Sequence, residues 1–349
     1  MRVREGFNLV AGVPVLLGQG THRSTARSYA TSTTPIIAFG PELAGWGSWD
    51  WVGADVAAEL SRYYGTVRYQ GQPVPDCDIL FVVKHAPALE LLERVPRRTP
   101  VVYCPVDQYG SAAAIDADGR MLRRCAKILV HCKRLRRHFE PYAPVEYIDH
   151  HVKFVTPIRQ KWRDEGYLLW VGVRSNLPAL VEWVNTHPLP GDLRVLTNLE
   201  NPNQVPRAAE LGFREHRAVR VHNWSGGGHL ALTEGARAAI DIKGSDFRSR
   251  HKPPAKAIDF IASGVPLAMN PDSCVVEHLG RMGFEVVSPL DTEHWLSREY
   301  WEETQRFGKA LRELLSLERI GRRYRRIIEE VLGERGHYRE EEPNNHGFH

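Results

Sequence analysis

The feature that most constrains this chain is an alternation beginning at Pro35: short β-branched runs, each followed by a helix-length segment with apolar residues at helical spacing. Parallel strands need a crossover of helical length, so this grammar predicts an α/β architecture of parallel, helix-covered sheets. The strand-like runs fall at 36–39, near 67, and at 79–83, 101–104, 128–130 and 145–148. After a polar connector over 149–165 the pattern restarts at 167–173 and continues at 193–197, 219–222, 239–242, 266–268 and 285–287. The restart predicts two Rossmann-like, doubly wound domains, 35–150 and 151–298, and 349 residues suffice for each to bury its own core. Stripes of Phe307, Leu311, Leu314 and Leu315, then Ile320, Tyr324, Ile327, Ile328 and Val331, predict two closing helices over 299–333 that pack across the domains. Residues 1–34 read as a loosely attached extension, residues 334–349 as a disordered polar tail, and the Asp-His-His at 149–151 as a hinge. Ligands of open α/β sheets bind beyond the carboxyl ends of the strands, which places the function in a central cleft between the domains.

Composition narrows the classes. A hydrophobic content of 42% with 25% charged residues is that of a folded protein, which sets aside wholesale disorder. No apolar run approaches the length of a membrane span, and Gly12 and Pro14 interrupt the run at 10–17, so a signal peptide is not expected. Five cysteines without paired spacing predict free thiols and a cytoplasmic location. Cys125, His131, Cys132 and His138 lie near one another but match no zinc spacing, so no metal is expected. The net charge of +4 is small, yet residues 120–138 hold eight Lys/Arg and no acid, and residues 306–326 hold eight against Glu313 and Glu318. These stretches are either solvated helix faces or docking faces for peripheral contact with the anionic inner face of a membrane. No nucleic-acid-binding motif accompanies them, and no nucleic acid is expected as a partner.

The segment 252–268, KPPAKAIDFIASGVPLA, carries the strongest chemical signal. Pro253 and Pro254 suit a helix start, whose free N–H groups and positive dipole end suit a diphosphate. Just before it, KGSDFRSRH at 243–251 supplies Lys243, Ser245, Arg248 and Arg250, cations and a hydroxyl suited to a departing nucleoside diphosphate. The bland alternative is an amphipathic helix with Ile258, Ile261 and Ala262 buried and Lys256 and Asp259 solvated. Lys256, Asp259, Ala262, Gly264 and Pro266 resemble the donor-site pattern of GT-B glycosyltransferases, especially the retaining family 4. YLLWVGVR at 167–174, VVYCPVDQYG at 101–110 and the Gly-rich stretch 45–60 are similar to further pieces of that family, in the same order.

The resemblance implies a GT-B fold and a glycosyltransferase that moves a sugar from a nucleotide-diphosphate-sugar donor, with retention, to a carbohydrate, lipid-linked or small-molecule acceptor. It implies no obligatory cofactor. It assigns Asp107, Arg248, His251 and Lys256 to catalysis, with Lys256 as a further phosphate-facing cation and His251 standing where the family has its first Glu. Gly172, Arg174, Asn198, Asn223, Trp224, Lys243, Ser245 and Arg250 would hold the donor, Asp259 taking the ribose. Gly47, Ser48 and Trp49 in the aromatic stretch GWGSWDW at 45–51, with His85 and Gln108, would hold the acceptor. Each has a structural alternative, as a turn, cap, surface Arg or buried aromatic. A catalytically silent GT-B-like sugar- or partner-binding protein and a GT-B epimerase acting on a UDP-sugar are the other readings.

Overall fold

The computed structural model describes residues 34–339 apart from 72, 160, 216 and 217, with side chains to residue 333. Residues 1–33 of the expected extension and 340–349 of the expected tail lie outside the described residues. Strands β1 (Ile36–Gly40), β2 (Gly65–Arg68), β3 (Ile79–Val83), β4 (Val101–Cys104), β5 (Lys127–Val130) and β6 (Val145–Tyr147) form one sheet in the order β2-β1-β3-β4-β5-β6, parallel at every pairing. Strands β7 (Tyr167–Val171), β8 (Leu193–Thr197), β9 (Val219–Asn223), β10 (Ala236–Asp241) and β11 (Leu267–Met269) form the second, in the order β11-β10-β7-β8-β9, again parallel. The run expected at 285–287 is reduced to one parallel bridge from Val287 to Ala268. All five positions of central β3 are buried, whereas edge strand β2 is partly exposed, which is why the first reads as an unbroken apolar run.

The Gly-rich stretch 45–60 is largely helical. A turn of helix at Gly47–Trp49 continues through the π-helical stretch Asp50–Ala54 into the helix Asp55–Leu60. Gly53 permits this, because a Cβ there would lie 2.2 Å from the Trp49 indole, which is thereby drawn into the core. Tyr63, beyond the end of this helix, is 41% exposed.

Two helices close the described chain. Arg298–Leu314 packs on the helix Ala255–Ala262, and Leu317–Arg339 returns to the helix Asp55–Leu60 of the first sheet. The latter buries Tyr324, Ile327, Ile328 and Val331, and extends past residue 333, where a tail was expected to begin. Many cations of the two basic stretches are engaged inside the protein rather than free to dock: Lys127 with Glu330 at 2.6 Å, Arg134 with Glu277 at 2.6 Å, Arg323 with Asp149 at 2.6 Å, and Arg312 on the carbonyl of Ala262 at 2.6 Å. The stretch 149–151, expected as a hinge, is packed: Asp149 also meets His278 at 3.1 Å, and His150 and His151 are buried. Among the described residues no helix is long and apolar enough to cross a membrane.

Candidate active site

In each sheet the strand order reverses once, between β1 and β3 in the first and between β7 and β10 in the second. Such a reversal sends the neighbouring crossovers to opposite faces and leaves a crevice at the carboxyl ends of the two strands. Charged side chains gather at both points.

In the first sheet, Lys84 follows β3 directly with φ 66°, and Val106 follows β4 with φ 54°. A β-branched residue pays strain in this left-handed region, and here the turn brings Asp107 to 2.6 Å from the Lys84 ammonium. The Tyr103 hydroxyl donates to the Lys84 carbonyl at 2.9 Å and fixes the backbone. Burial raises the Asp107 carboxyl, but Lys84, then Lys252 and Arg248, outweigh it and hold the group below the usual carboxylate range. Trp46 stands 51% exposed with the Lys84 ammonium 5.1 Å from its ring centre, and the exposed His85 meets it edge-on at 6.1 Å.

In the second sheet, Asp241 ends β10 and pairs with Lys243 at 2.7 Å, both residues being buried. The Asn270 side chain accepts the Lys243 N–H at 2.8 Å and donates to its carbonyl at 3.0 Å. Lys256, on the helix that begins directly after Pro254, donates to the carbonyl of Val171 at 2.5 Å, at the end of β7, 5.4 Å from the Trp170 ring. Lys252 donates to the Asn176 side chain, and Arg248 donates to the carbonyl of Gln108 at 2.9 Å, joining the two carboxyl edges. Burial pulls the Lys256 ammonium down to about 7 against the opposing field of Asp241, and burial with Lys243 lowers Lys252. Burial raises Asp241, and Lys243, Lys256 and Lys252 together bring it below its ordinary value.

The charge balance at this convergence favours an anion. Asp107 and Asp241 match Lys84 and Lys243, and Asp246 acts on Lys252 through its field, whereas Lys252 and Arg248 meet no carboxylate within ion-pair distance among the described residues and Lys256 adds a partial charge, which leaves the balance positive. His251 lines a pocket with Asp107, Gln108 and Arg248. Its Nδ1 lies 2.6 Å from the carbonyl of Phe247, while the buried Nε2 has no protein partner. Burial lowers its pKa, so at neutral pH it is a neutral imidazole with one nitrogen free for a hydroxyl.

The other expected site residues have these surroundings. Arg250 turns away to Asp272 at 2.5 Å and does not join Arg248 and Lys256. Asp259, expected at the ribose, is 1% exposed and accepts the N–H groups of Lys153 and Phe154 at 2.9 and 3.2 Å; burial raises it to about 7. Of the expected Gly47, Ser48 and Trp49, Gly47 is exposed, the Ser48 hydroxyl is buried without a partner and Trp49 is core, while the neighbouring Trp46 is 51% exposed. Gln108 presents its carbonyl to Arg248. Along the carboxyl edge of β7 to β9, Arg174 pairs with Glu200 at 2.9 Å and donates its N–H to Asn198 at 2.8 Å, and Asn223 accepts the N–H of Leu199 at 3.1 Å. Gly172 continues that edge with its N–H on the carbonyl of Leu196, Trp224 is 39% exposed with its edge on Phe154, and Ser245 is exposed in the loop after β10. Sequence reasoning missed Lys84, Asp241 and Lys252. A charge directly after a fully apolar strand was the available signal for Lys84, and an Asp closing an apolar strand for Asp241. Among the described residues no group of His, Cys, Asp and Glu is arranged to hold a metal ion.

No protein-family model and no curated protein matches the chain. Among solved structures, it superposes on AviGT4, a glycosyltransferase involved in avilamycin A biosynthesis, with a TM-score of 0.58 over 86% of this chain and 98% of that one. The fold is GT-B. At 16% identity the likeness speaks for the fold alone. Less similar are the pneumococcal O-GlcNAc transferase GtfA in complex with UDP and GlcNAc, at TM-score 0.49, 12% identity and 73% and 57% coverage of this chain and that one. A trehalose-6-phosphate structure from E. coli bound with UDP-2-fluoro glucose superposes at TM-score 0.48, 10% identity, and 81% and 78% coverage.

Proposed function

We propose that the protein is a glycosyltransferase that takes a sugar from a nucleotide-diphosphate donor held over the second crevice and passes it, with retention, to an acceptor over the first. The observation that carries this reading is the surplus of positive charge where two switch points face one another, with two cations lacking a carboxylate partner. A diphosphate is the complementary ligand, and stabilising its developing charge is the main catalytic need when a glycosidic bond breaks. In the transfer, the acceptor oxygen bonds to the anomeric carbon as the carbon–oxygen bond to the diphosphate breaks, the electron pair staying on the phosphate. The hydroxyl proton leaves with the diphosphate. Asp107, ionised beside Lys84, accepts hydrogen bonds from sugar hydroxyls, the free nitrogen of His251 takes another, and Trp46 offers an apolar face to a sugar ring.

Calorimetric titration with UDP, GDP and TDP, followed by product analysis with the matching nucleotide sugars, tests this reading. One of the three should bind, and Lys252→Gln and Arg248→Gln should each weaken it about tenfold. Unchanged affinity in both variants, or no nucleotide-dependent heat, sinks the proposal. A silent binding protein is the second reading, favoured by His251 in place of the Glu of the resembled family and by the burial of Asp259. Nucleotide binding without sugar transfer or donor hydrolysis would select it.

A further inference from the structure

At the opposite edge of the second sheet, where its strands begin, lies a second cationic pocket. Its walls include Arg159, Arg163 and Arg237, the indoles of Trp162 and Trp301, and Ser297. Arg237 belongs to the start of β10, and Ser297 caps the helix Arg298–Leu314 by accepting the N–H of Tyr300, so the positive end of a long helix also faces this region.

Three guanidinium groups share this place, and no carboxylate comes within ion-pair distance of any of them among the described residues. Arg159 donates to the carbonyls of Thr233 and Glu234 at 2.9 and 2.7 Å, and Arg163 to that of Glu234 at 3.4 Å. Arginines elsewhere, such as Arg134, Arg250 and Arg323, do meet carboxylates. Two buried donors here have no partner at all, Nε of Arg237 and the indole N–H of Trp301. A buried donor left unpaired is costly, and guanidinium forks match phosphate oxygens in geometry as well as charge. Burial, then the neighbouring Arg163, lowers Arg159 to about 10, against the weaker opposing fields of Tyr167 and Glu234. Trp162, 36% exposed, supplies a flat apolar wall beside the cations.

We propose that this pocket is a second anion site, distinct from the nucleotide crevices, for a phosphate monoester carried on a small ring, of the sugar-phosphate class. The guanidinium groups and the orphaned N–H groups take the phosphate, and Trp162 takes the ring face. The inference does not depend on the glycosyltransferase reading, because the two sites lie at opposite ends of β10.

The test is calorimetry of the full chain with glucose 6-phosphate and with inorganic phosphate. Both should bind, the sugar phosphate at least about threefold tighter, and Trp162→Ala should remove that difference. Arg163→Gln, an exposed position, and the conservative Arg237→Lys should each weaken binding about tenfold while leaving the uridine, guanosine or thymidine diphosphate affinity unchanged. Lys252→Gln should leave phosphate binding within about twofold of the parent. The reverse pattern, loss in Lys252→Gln and none in Arg163→Gln, places the phosphate in the nucleotide crevice and overturns the second site. Absence of heat with either phosphate overturns it too, and equal affinities overturn the assignment of the ring to Trp162. Failure of every nucleotide to bind while the phosphates do would sink the donor reading alone.

Discussion

Lys256 shows what burial does to a cation in a binding site. With its ammonium on the carbonyl of Val171 and its pKa drawn down to about 7, it carries only part of a charge in neutral solution. A diphosphate bound nearby would favour the ammonium and raise that pKa, so binding should take up a proton. Below about pH 7 the charge is already present and affinity is highest; as pH rises through 7 the proton must be supplied, and affinity falls. We expect diphosphate affinity to drop about fivefold to tenfold between pH 7 and 8.5, with proton uptake visible in buffers of different ionisation enthalpy, and Lys256→Met to abolish the slope. A flat profile in the parent protein would show that Lys256 does not sense the ligand. The residue is thus read as acting through its field from beneath, where the sequence had placed it in contact.

The helix Ala255–Ala262 is set by its neighbours more than by its own propensity. Its buried face includes Ala257, Ile258, Ile261 and Ala262, and the helix Arg298–Leu314 approaches so closely that a Cβ on Gly308 would lie 2.2 Å from the carbonyl of Ile261. That obstacle is backbone, which cannot swing aside. At the helix end Gly264 takes φ 69°, and Gln305 donates to its carbonyl at 2.7 Å. Gly308→Ala should therefore force the two helices apart, costing about 2–3 kcal/mol in denaturant unfolding, and should weaken diphosphate binding because Lys256 moves with its helix. A stability change under about 0.5 kcal/mol would mean the interface yields more easily than this packing implies.

At the scale of the whole molecule, buried ionisable groups around the joint between the sheets govern acid stability. His131 is buried with Nδ1 2.9 Å from the carbonyl of Ile148 and Nε2 unpaired, and burial lowers its pKa to about 4. Its neighbour His150, with rings 4.4 Å apart, is likewise pulled well below the ordinary imidazole value, by burial and then by His131. Groups of this kind give stability that is present above their unfolded value, near 6.5, and lost as pH falls toward 4, on the order of 3 kcal/mol for His131. Asp259 acts oppositely: its folded pKa is raised to about 7, so its contribution is present below its unfolded value near 3.8 and lost as pH rises through 7. Urea titrations between pH 7 and 4 should show His131→Phe with a shallower acid loss and Asp259→Asn with a steeper one. Identical slopes in all three proteins would remove both groups from the acid response. Asp259→Asn should also leave nucleotide affinity intact, since its oxygens serve the Lys153 and Phe154 amides.

The same joint explains where the chain was legible. Central strands such as β3 and β4 and the helix after Pro254 were readable because burial on both faces, proline at a helix start and glycine at a helix end each impose local composition. Two parallel sheets followed from the alternation alone. The surroundings of Asp259, Trp49 and Arg250 were not readable, because they depend on partners far along the chain or on a neighbouring side chain: the amides of Lys153 and Phe154, the space above Gly53, and Asp272. Nor was the meeting of Lys84 with Asp107 at one crevice and of Asp241 with Lys243 beside Lys256 at the other, since strand order is set by how crossovers pack and not by any strand's own residues. Local patterning determined the elements and the fold class, and only tertiary packing decided which charges are buried, which are neutralised, and which are left to meet an anion.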